Sequence, residues 1–299
     1  SILPYRAKLV LTLACSLIAG TALASHAWAQ DVSANERKGI DISGKWRGTR
    51  GLVTRGDDGK VVWTRRDEDP VVLATAKNQW IDAIDASPAS GLIAFSFGRT
   101  LSVIDPKEVG FRRDFQHERT VSGVAFEPKG RRIATSTYGG AALWYARIEK
   151  QQPVKLAWAG SHTGVAFSPD GAFVVTTMQD NQMHGWRIKD AKNLRMGGYP
   201  GKVRSMAFLA NGQLMATSGA QGAVLWPFIG SNGPMGREAT EIGYDDTTLV
   251  NLVSARADQG LLAAGLTDAD FQAAPLGDQP TRVRFDAVTH VYDSLVRRG

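Results

Sequence analysis

A phrase of alternating apolar residues followed by turn residues recurs through the middle of the chain at a nearly constant interval. Val121-Ser-Gly-Val-Ala-Phe126-Glu-Pro-Lys-Gly130 recurs as Thr163-Gly-Val-Ala-Phe167-Ser-Pro-Asp-Gly171 and as Val203-Arg-Ser-Met-Ala-Phe208-Leu-Ala-Asn-Gly212. The Phe and the final Gly of the phrase each recur every 41 residues. A Trp then closes each repeat, at Trp144, Trp186 and Trp226. This period constrains the fold most, because each repeat must form one unit that packs on its neighbours.

Each repeat has the pattern of a small antiparallel sheet. In the first phrase apolar side chains fall on both faces of the extended segment, which is typical of a strand packed between other sheets. Pro128 and Gly130 then predict a tight turn, because Pro presets φ and Gly accepts a positive φ. Residues 132–136, 141–144 and 153–158 supply three further strands. Four strands in about 40 residues predict an all-β fold built of β-propeller blades.

The repeat continues with a similar spacing towards both ends of the chain. Its first hairpin turns fall at Gly51, Gly91, Gly130, Gly171, Gly212, Gly260 and Gly299. They predict a propeller of seven four-stranded antiparallel blades over residues 41–299, with the last blade incomplete. Because an incomplete blade would leave an unpaired edge, we expect the natural chain to continue for roughly 25–40 residues.

The repeats resemble those of the WD-repeat β-propeller family, over nearly the whole chain after residue 40. Gln116-His117 is similar to the family's Gly-His start, Ser168-Pro-Asp-Gly171 to its first hairpin, and Val61-Val-Trp63 to its strand ending in Trp. The chain departs from the pattern where the family has Asp after Trp, at Thr64, Tyr145, Arg187 and Pro227. The resemblance implies structural positions at Phe126, Phe167, Phe208, Trp63, Trp144, Trp186 and Trp226. It also implies that His117 and His162 tie their blades together.

Residues 1–29 have the composition of a cleaved signal peptide. Arg6 and Lys8 precede an uncharged apolar run from Leu9 to Ala24, and Ala27-Trp-Ala29 matches a small-residue cleavage site. The apolar run is shorter than the roughly 20 residues of a membrane-spanning helix. The sequence therefore predicts export to a bacterial periplasm, with secretion beyond it as an alternative. Residues 30–40 are then a short linker.

The composition excludes several kinds of chemistry. Cys15 is the one cysteine and lies in the predicted signal peptide, so the mature chain has no disulfide, thiolate metal site or cysteine nucleophile. We predict no cofactor and no metal, because the few histidines are not accompanied by a ligand set, and His184 fits a packed core position. The sequence contains no phosphate-binding loop and no nucleophile elbow.

Charge argues against a nucleic-acid partner. The net charge of the whole chain is +6 and falls to +4 when Arg6 and Lys8 leave with the signal peptide. Arginines are scattered among acidic residues, as in Arg112-Arg-Asp114, so the chain has no basic stripe that could follow a phosphate backbone.

Function is therefore predicted from architecture. A propeller presents a loop face, formed by the turns between second and third strands and by the links from each outer strand to the next blade. We predict a non-catalytic scaffold, a monomeric propeller that binds a protein or peptide within a periplasmic assembly. The alternative is an enzyme or small-ligand binder of the hydrolase, lactonase or quinone-dependent dehydrogenase type. The predicted partner-binding residues are Arg55, Trp80, Arg99, His117, Arg119, Tyr138 and Tyr199.

Overall fold

The computed structural model describes residues 52–55, 58–64, 69–209, 212–243, 248–256, 261–266, 271–275 and 281–283. The predicted signal peptide, the linker and the incomplete last blade around Gly299 lie outside these residues. Within the described ranges, no helix has the length and apolar character needed to cross a bilayer.

The described residues are almost entirely β-strand. The strands are β1 (Leu52–Arg55), β2 (Lys60–Thr64), β3 (Val71–Thr75), β4 (Ala83–Ala86), β5 (Ile93–Phe97), β6 (Thr100–Ile104), β7 (Arg112–Gln116), β8 (Gly123–Phe126), β9 (Arg132–Tyr145), β10 (Val154–Phe167), β11 (Phe173–Met178), β12 (Met183–Arg187), β13 (Lys192–Met196), β14 (Met206–Leu209), β15 (Leu214–Thr217), β16 (Ala223–Pro227), β17 (Thr240–Ile242), β18 (Val250–Arg256), β19 (Leu261–Leu266), β20 (Phe271–Pro275) and β21 (Thr281–Val283). All strand pairs are antiparallel between neighbours in sequence, as the repeats predict.

The described residues fall into two compact parts, one ending at Met196 and the other beginning at Gly197. In the first part, β1–β3 form a three-stranded sheet and β4–β7 a four-stranded sheet. Strands β8–β13 form one six-stranded sheet.

The six-stranded sheet contains two blades, because its two longest strands each serve twice. Strand β9 folds back on itself, since the Thr135 hydroxyl lies 3.4 Å from the carbonyl oxygen of Ala142. Gly140 has a φ of 134°, and a Cβ there would collide with the carbonyl oxygen of Leu156, so the bend requires glycine. Strand β10 pairs first with β9 and then, after a register shift beyond Ala157, with β11. The two blades cover residues 123–158 and 162–196, each with four strand segments.

The recurring Trp and Phe residues lie between consecutive blades of the first part. Trp144 packs in one buried cluster with Phe126 and with Leu101 and Phe115 of the preceding sheet. Trp186 packs with Phe167 and with residues of the 123–158 blade. The apolar character of both strand faces follows from this packing, because each blade buries one face against either neighbour.

The second part repeats this organisation. Strands β14–β17 and β18–β21 each form a four-stranded antiparallel sheet. Leu225 and Val253 belong to a buried cluster that joins the two sheets. The Ser205 hydroxyl also joins them, because it donates to the carbonyl oxygen of Val253 at 2.9 Å and accepts from its N–H at 3.1 Å. The all-β propeller class is thus confirmed, whereas seven blades and the continuation beyond Gly299 stay predictions.

Candidate functional site

A histidine ties the 123–158 blade to the link that enters it. The carbonyl oxygen of Phe115 lies 3.2 Å from Nδ1 of His117, so this nitrogen carries the proton. Nε2 then accepts from the Thr135 hydroxyl at 3.0 Å. The imidazole lies 4.9 Å from the ring of Trp144, and burial lowers the pKa of His117. His117 is therefore a neutral structural group at pH 7.

The next blade repeats this arrangement with His162. Its ring is fully buried; Nε2 donates to the carbonyl oxygen of Trp158 at 3.1 Å, and Nδ1 lies 2.7 Å from the Thr176 hydroxyl. The ring of Trp186 lies 5.7 Å away. Burial lowers the pKa of His162 as well. The structural role that the resemblance implies for both histidines agrees with these contacts.

Tyrosine takes the place of histidine in the second part. The hydroxyl of Tyr199 lies 2.7 Å from that of Thr217 and accepts from Nε1 of Trp226 at 2.5 Å. Tyr199 is 8% exposed, and burial raises its pKa to about 12. Tyr199 was predicted to lie on the partner-binding surface, but its hydroxyl is used inside the blade and little of its side chain is available to a partner.

The threonines of these networks are structural positions that the resemblance to the family did not single out. Thr135, Thr176 and Thr217 occur at intervals of 41 residues, the same interval as the recurring Phe. Each threonine also lies within 3.2 to 3.4 Å of a carbonyl oxygen on the adjacent strand segment. The strict 41-residue recurrence of a hydroxyl inside a second strand was the signal that could have identified them.

Two cationic and two aromatic residues of the predicted binding set lie exposed, three of them on loops and Tyr138 at the bend of β9. Trp80 and Tyr138 are 71% and 64% exposed, respectively. Arg99 and Arg119 are also exposed. By contrast, Arg55 is half-buried, and its guanidinium donates to the carbonyl oxygen of Ile81.

Backbone and side-chain hydrogen bonds connect the loops that carry these residues. The carboxylate of Asp82 accepts from the N–H of Gly98 at 2.7 Å and links the Trp80 segment to the Arg99 turn. The carbonyl oxygen of Arg99 accepts from the N–H of His117 at 2.9 Å. Tyr138 is paired with Ser161 where β9 meets β10. The exposed side chains therefore project from a hydrogen-bonded frame, which limits the ordering that a partner must induce.

A buried carboxyl links the 83–116 sheet to the next blade. Asp85 is 1% exposed, and its Oδ2 accepts from the N–H of Phe126 at 2.7 Å. Burial raises the pKa of Asp85 well above its ordinary value. The equivalent positions of the next repeats hold Ala125 and Ala166, so hydrophobic patterning did not single out this carboxyl.

The remaining Phe and Trp side chains that were predicted to be structural are buried or half-buried. Phe126, Phe167 and Phe208 are 4%, 6% and 4% exposed, and Trp144 and Trp186 are 6% and 1% exposed. Trp63 and Trp226 are half-buried. Within the described residues, no three His, Cys, Asp or Glu side chains converge as a metal site.

Comparison with known families finds a match for one of these repeats. Residues 159–187 match the family described as "WD domain, G-beta repeat". They include His162 of the hydrogen-bonded network described above and Trp186, whose ring lies 5.7 Å from that of His162. The matched stretch is a single repeat, and together with the antiparallel sheets of the fold it supports a WD-repeat β-propeller.

The chain also resembles one curated bacterial protein over part of its length. A stretch of 71 residues is 44% identical to the "Probable conjugal transfer protein TrbG" of Sinorhizobium fredii. That stretch covers 24% of this chain and 26% of the relative. The chain thus matches about a quarter of the length of that curated relative.

Proposed function

We propose that this WD-repeat propeller is a non-catalytic scaffold that binds a protein or peptide through the exposed loops of its first part. The observation that carries the proposal is the presence of Trp80, Arg99, Arg119 and Tyr138 on hydrogen-bonded loops, with their side chains exposed. Tryptophan, tyrosine and arginine contribute disproportionately to binding energy at protein interfaces. Rigid loops add affinity because less conformational entropy is lost on binding.

We place this scaffold in the periplasm, as part of an envelope assembly. Two separate features support this location. Residues 1–29 have the pattern of a cleaved export signal. The partly matching relative is named a probable conjugal transfer protein, which suggests an envelope or periplasmic location. The proposed partner is therefore another protein of such an assembly.

A triple substitution tests the binding face. Trp80→Ala, Arg99→Ala and Tyr138→Ala together are expected to abolish recovery of the partner that cross-links to the wild-type protein in its own periplasm. The melting temperature should change little, because these side chains are exposed and not part of the buried clusters. Partner recovery is measured by affinity purification with mass spectrometry, and stability by thermal unfolding.

Substitution of the opposite turns provides the matched control. Lys129 and Asp170 belong to the first hairpin turns of the 123–158 and 162–196 blades, which the antiparallel meander places at the other end of the strands from Tyr138. Replacing both with Ala should leave partner recovery intact. Loss of the partner in this control, with retention in the loop variant, would show that the wrong face has been chosen.

A further inference from the structure

We propose that the loop face of the first part recognises an acidic peptide segment whose carboxylates pair with Arg99 and Arg119 and whose apolar side chains contact Trp80 or Tyr138. This inference rests on the proposed binding function and adds the chemistry of the partner. The inference follows from the ion pairs on these loops, which engage some charged side chains and leave other cations outside any pair.

The acidic residues of the loop face are engaged by groups of the protein itself. Asp58 forms an ion pair with Lys60 at 3.0 Å, and Glu118 forms one with Lys155 at 3.0 Å. The pairing with Lys155 lowers the pKa of Glu118. Asp82 accepts the backbone N–H of Gly98. Asp58 and Glu118 are thus each paired with a lysine, although Arg119 also interacts with Glu118 through its charge, whereas the carboxylate of Asp82 keeps its charge.

Three cations on the same loops have no such partner. Lys77, Arg99 and Arg119 are exposed, and within the described part of the chain their side chains form neither ion pairs nor hydrogen bonds. An exposed cation is well solvated by water, so this arrangement costs little in the free protein. It leaves an excess of positive charge on the loop face, which attracts and orients a negatively charged partner.

The loops that carry Arg99 and Arg119 are hydrogen-bonded to each other. The Arg99 turn and the link carrying Arg119 are joined twice, by the bond from the His117 N–H to the Arg99 carbonyl oxygen at 2.9 Å and by the bond from the Val121 N–H to the Gly98 carbonyl oxygen at 2.8 Å. A single extended segment can therefore meet both guanidinium groups. Each guanidinium can bind a carboxylate through two parallel hydrogen bonds.

The segments that carry Trp80 and Tyr138 lie on either side of the loops that carry Arg99 and Arg119. Asp82 connects the Trp80 segment to the Arg99 turn on one side. On the other side, the N–H of Ser122 bonds to the carbonyl oxygen of Ser136 at 2.9 Å, two residues before Tyr138. An acidic segment with interspersed apolar side chains matches this order of charge and aromatic surface. A nucleic acid or a lipid surface would instead favour a continuous cationic stripe, which the interspersed carboxylates interrupt.

The test measures binding of a defined peptide to the full chain. The probe is a fluorescein-labelled synthetic peptide in which Asp and Glu alternate with Leu, and its control has Asn and Gln in their places. Arg99→Gln with Arg119→Gln should weaken binding of the acidic peptide by roughly five- to tenfold. Lys129→Gln with Arg131→Gln removes the same charge from the opposite turn and should leave binding unchanged. Fluorescence anisotropy gives both affinities.

Several outcomes would overturn the inference. Equal binding of the amide peptide would show that the carboxylates are not recognised. An equal loss in the Lys129 and Arg131 variant would show that only net charge matters. Binding of phosphatidylglycerol vesicles that depends on Arg99 and Arg119, without binding of the acidic peptide, would assign these residues to a lipid surface.

A separate pair of variants distinguishes this inference from the proposed function. If Trp80→Ala with Tyr138→Ala abolishes recovery of the natural partner while the Arg99 and Arg119 variant retains it, the scaffold function stands and the acidic chemistry is wrong. If both variants retain the partner, the proposed binding face is itself wrong. Loss in both, with salt-sensitive binding of the acidic peptide between about 50 and about 300 mM salt, supports both.

Discussion

His184 is a buried imidazole without a hydrogen-bond partner at either ring nitrogen in the described structure. It stacks on Trp158 with ring centroids 3.9 Å apart. Burial, with His162 and Arg195 nearby, lowers its pKa to about 4. Since an unfolded histidine titrates near about 6.5, the unfolded chain binds more protons between these values. The free energy of unfolding should therefore fall as the pH falls through this window.

The substitution His184→Phe should make this pH dependence shallower. Phenylalanine retains an aromatic ring beside Trp158 but does not titrate, so the folded state no longer opposes protonation at this site. Stability at pH 7 should stay equal or rise, because two unsatisfied polar atoms are removed. Urea unfolding at about pH 7 and about pH 5 measures both effects.

The same substitution at His162 provides the comparison. His162 is hydrogen-bonded at both ring nitrogens, to Thr176 and to the carbonyl oxygen of Trp158. His162→Phe removes both of these hydrogen bonds and should lower the free energy of unfolding at pH 7 by about 1–3 kcal/mol. Equal losses at pH 7 in both variants would contradict the distinction between a bonded and an unbonded histidine.

The tryptophan that closes a blade is buried to a different extent from one blade to another. Trp186 is 1% exposed and packs between two blades, whereas Trp226 is half-buried. Trp186→Ala should lower the free energy of unfolding by about 3–5 kcal/mol, mainly by leaving a cavity, and Trp144→Ala should behave similarly. Trp226→Ala should cost less, because less of its ring is buried. Denaturant unfolding of the three variants gives this order.

Trp80→Ala is the matched control for these truncations. It removes the same side chain from a position that is 71% exposed, so the free energy of unfolding should change by less than about 0.5 kcal/mol. If Trp144→Ala and Trp186→Ala are as mild as this control, the assignment of the recurring tryptophans to the spaces between blades is wrong.

Strands and their packing could be predicted from the sequence because they depend on local patterning. Alternating apolar residues and the recurring Phe and Trp identified the 123–158 and 162–196 blades, including the outer strand segment that begins at Val154. The hairpin inside β9 was also predicted, from the glycines that follow Tyr138.

Two features of the candidate site depended on contacts that a sequence does not display. Tyr199 was expected on the surface, since the intervals from His117 to His162 and on to Tyr199 are irregular and obscure their equivalent roles. Its burial follows from bonds to Thr217 and Trp226. The carboxyl group of Asp85 accepts a hydrogen bond from the backbone N–H of Phe126, which lies 41 residues further along the chain in the next blade.

Export of the protein determines in which compartment the loop face can contact a partner. Expressed in a Gram-negative host with residues 1–29 and an added initiator methionine, the chain should be recovered from the periplasm with Gln30 at its N-terminus. Ala29→Tyr should block this processing, because signal peptidase sites require small residues. Intact mass and N-terminal sequencing of the osmotic-shock fraction measure the result.

A substitution on the other side of the proposed cleavage point separates processing from export in general. Gln30→Asn changes the first mature residue and leaves the small-residue pattern of Ala27 and Ala29 intact, so cleavage should continue at the same bond. Recovery of the wild-type chain in the cytoplasm with residues 1–29 still attached would contradict export. In that case a periplasmic partner could not reach Trp80, Arg99 and Arg119, and an acidic partner would have to be a cytoplasmic protein.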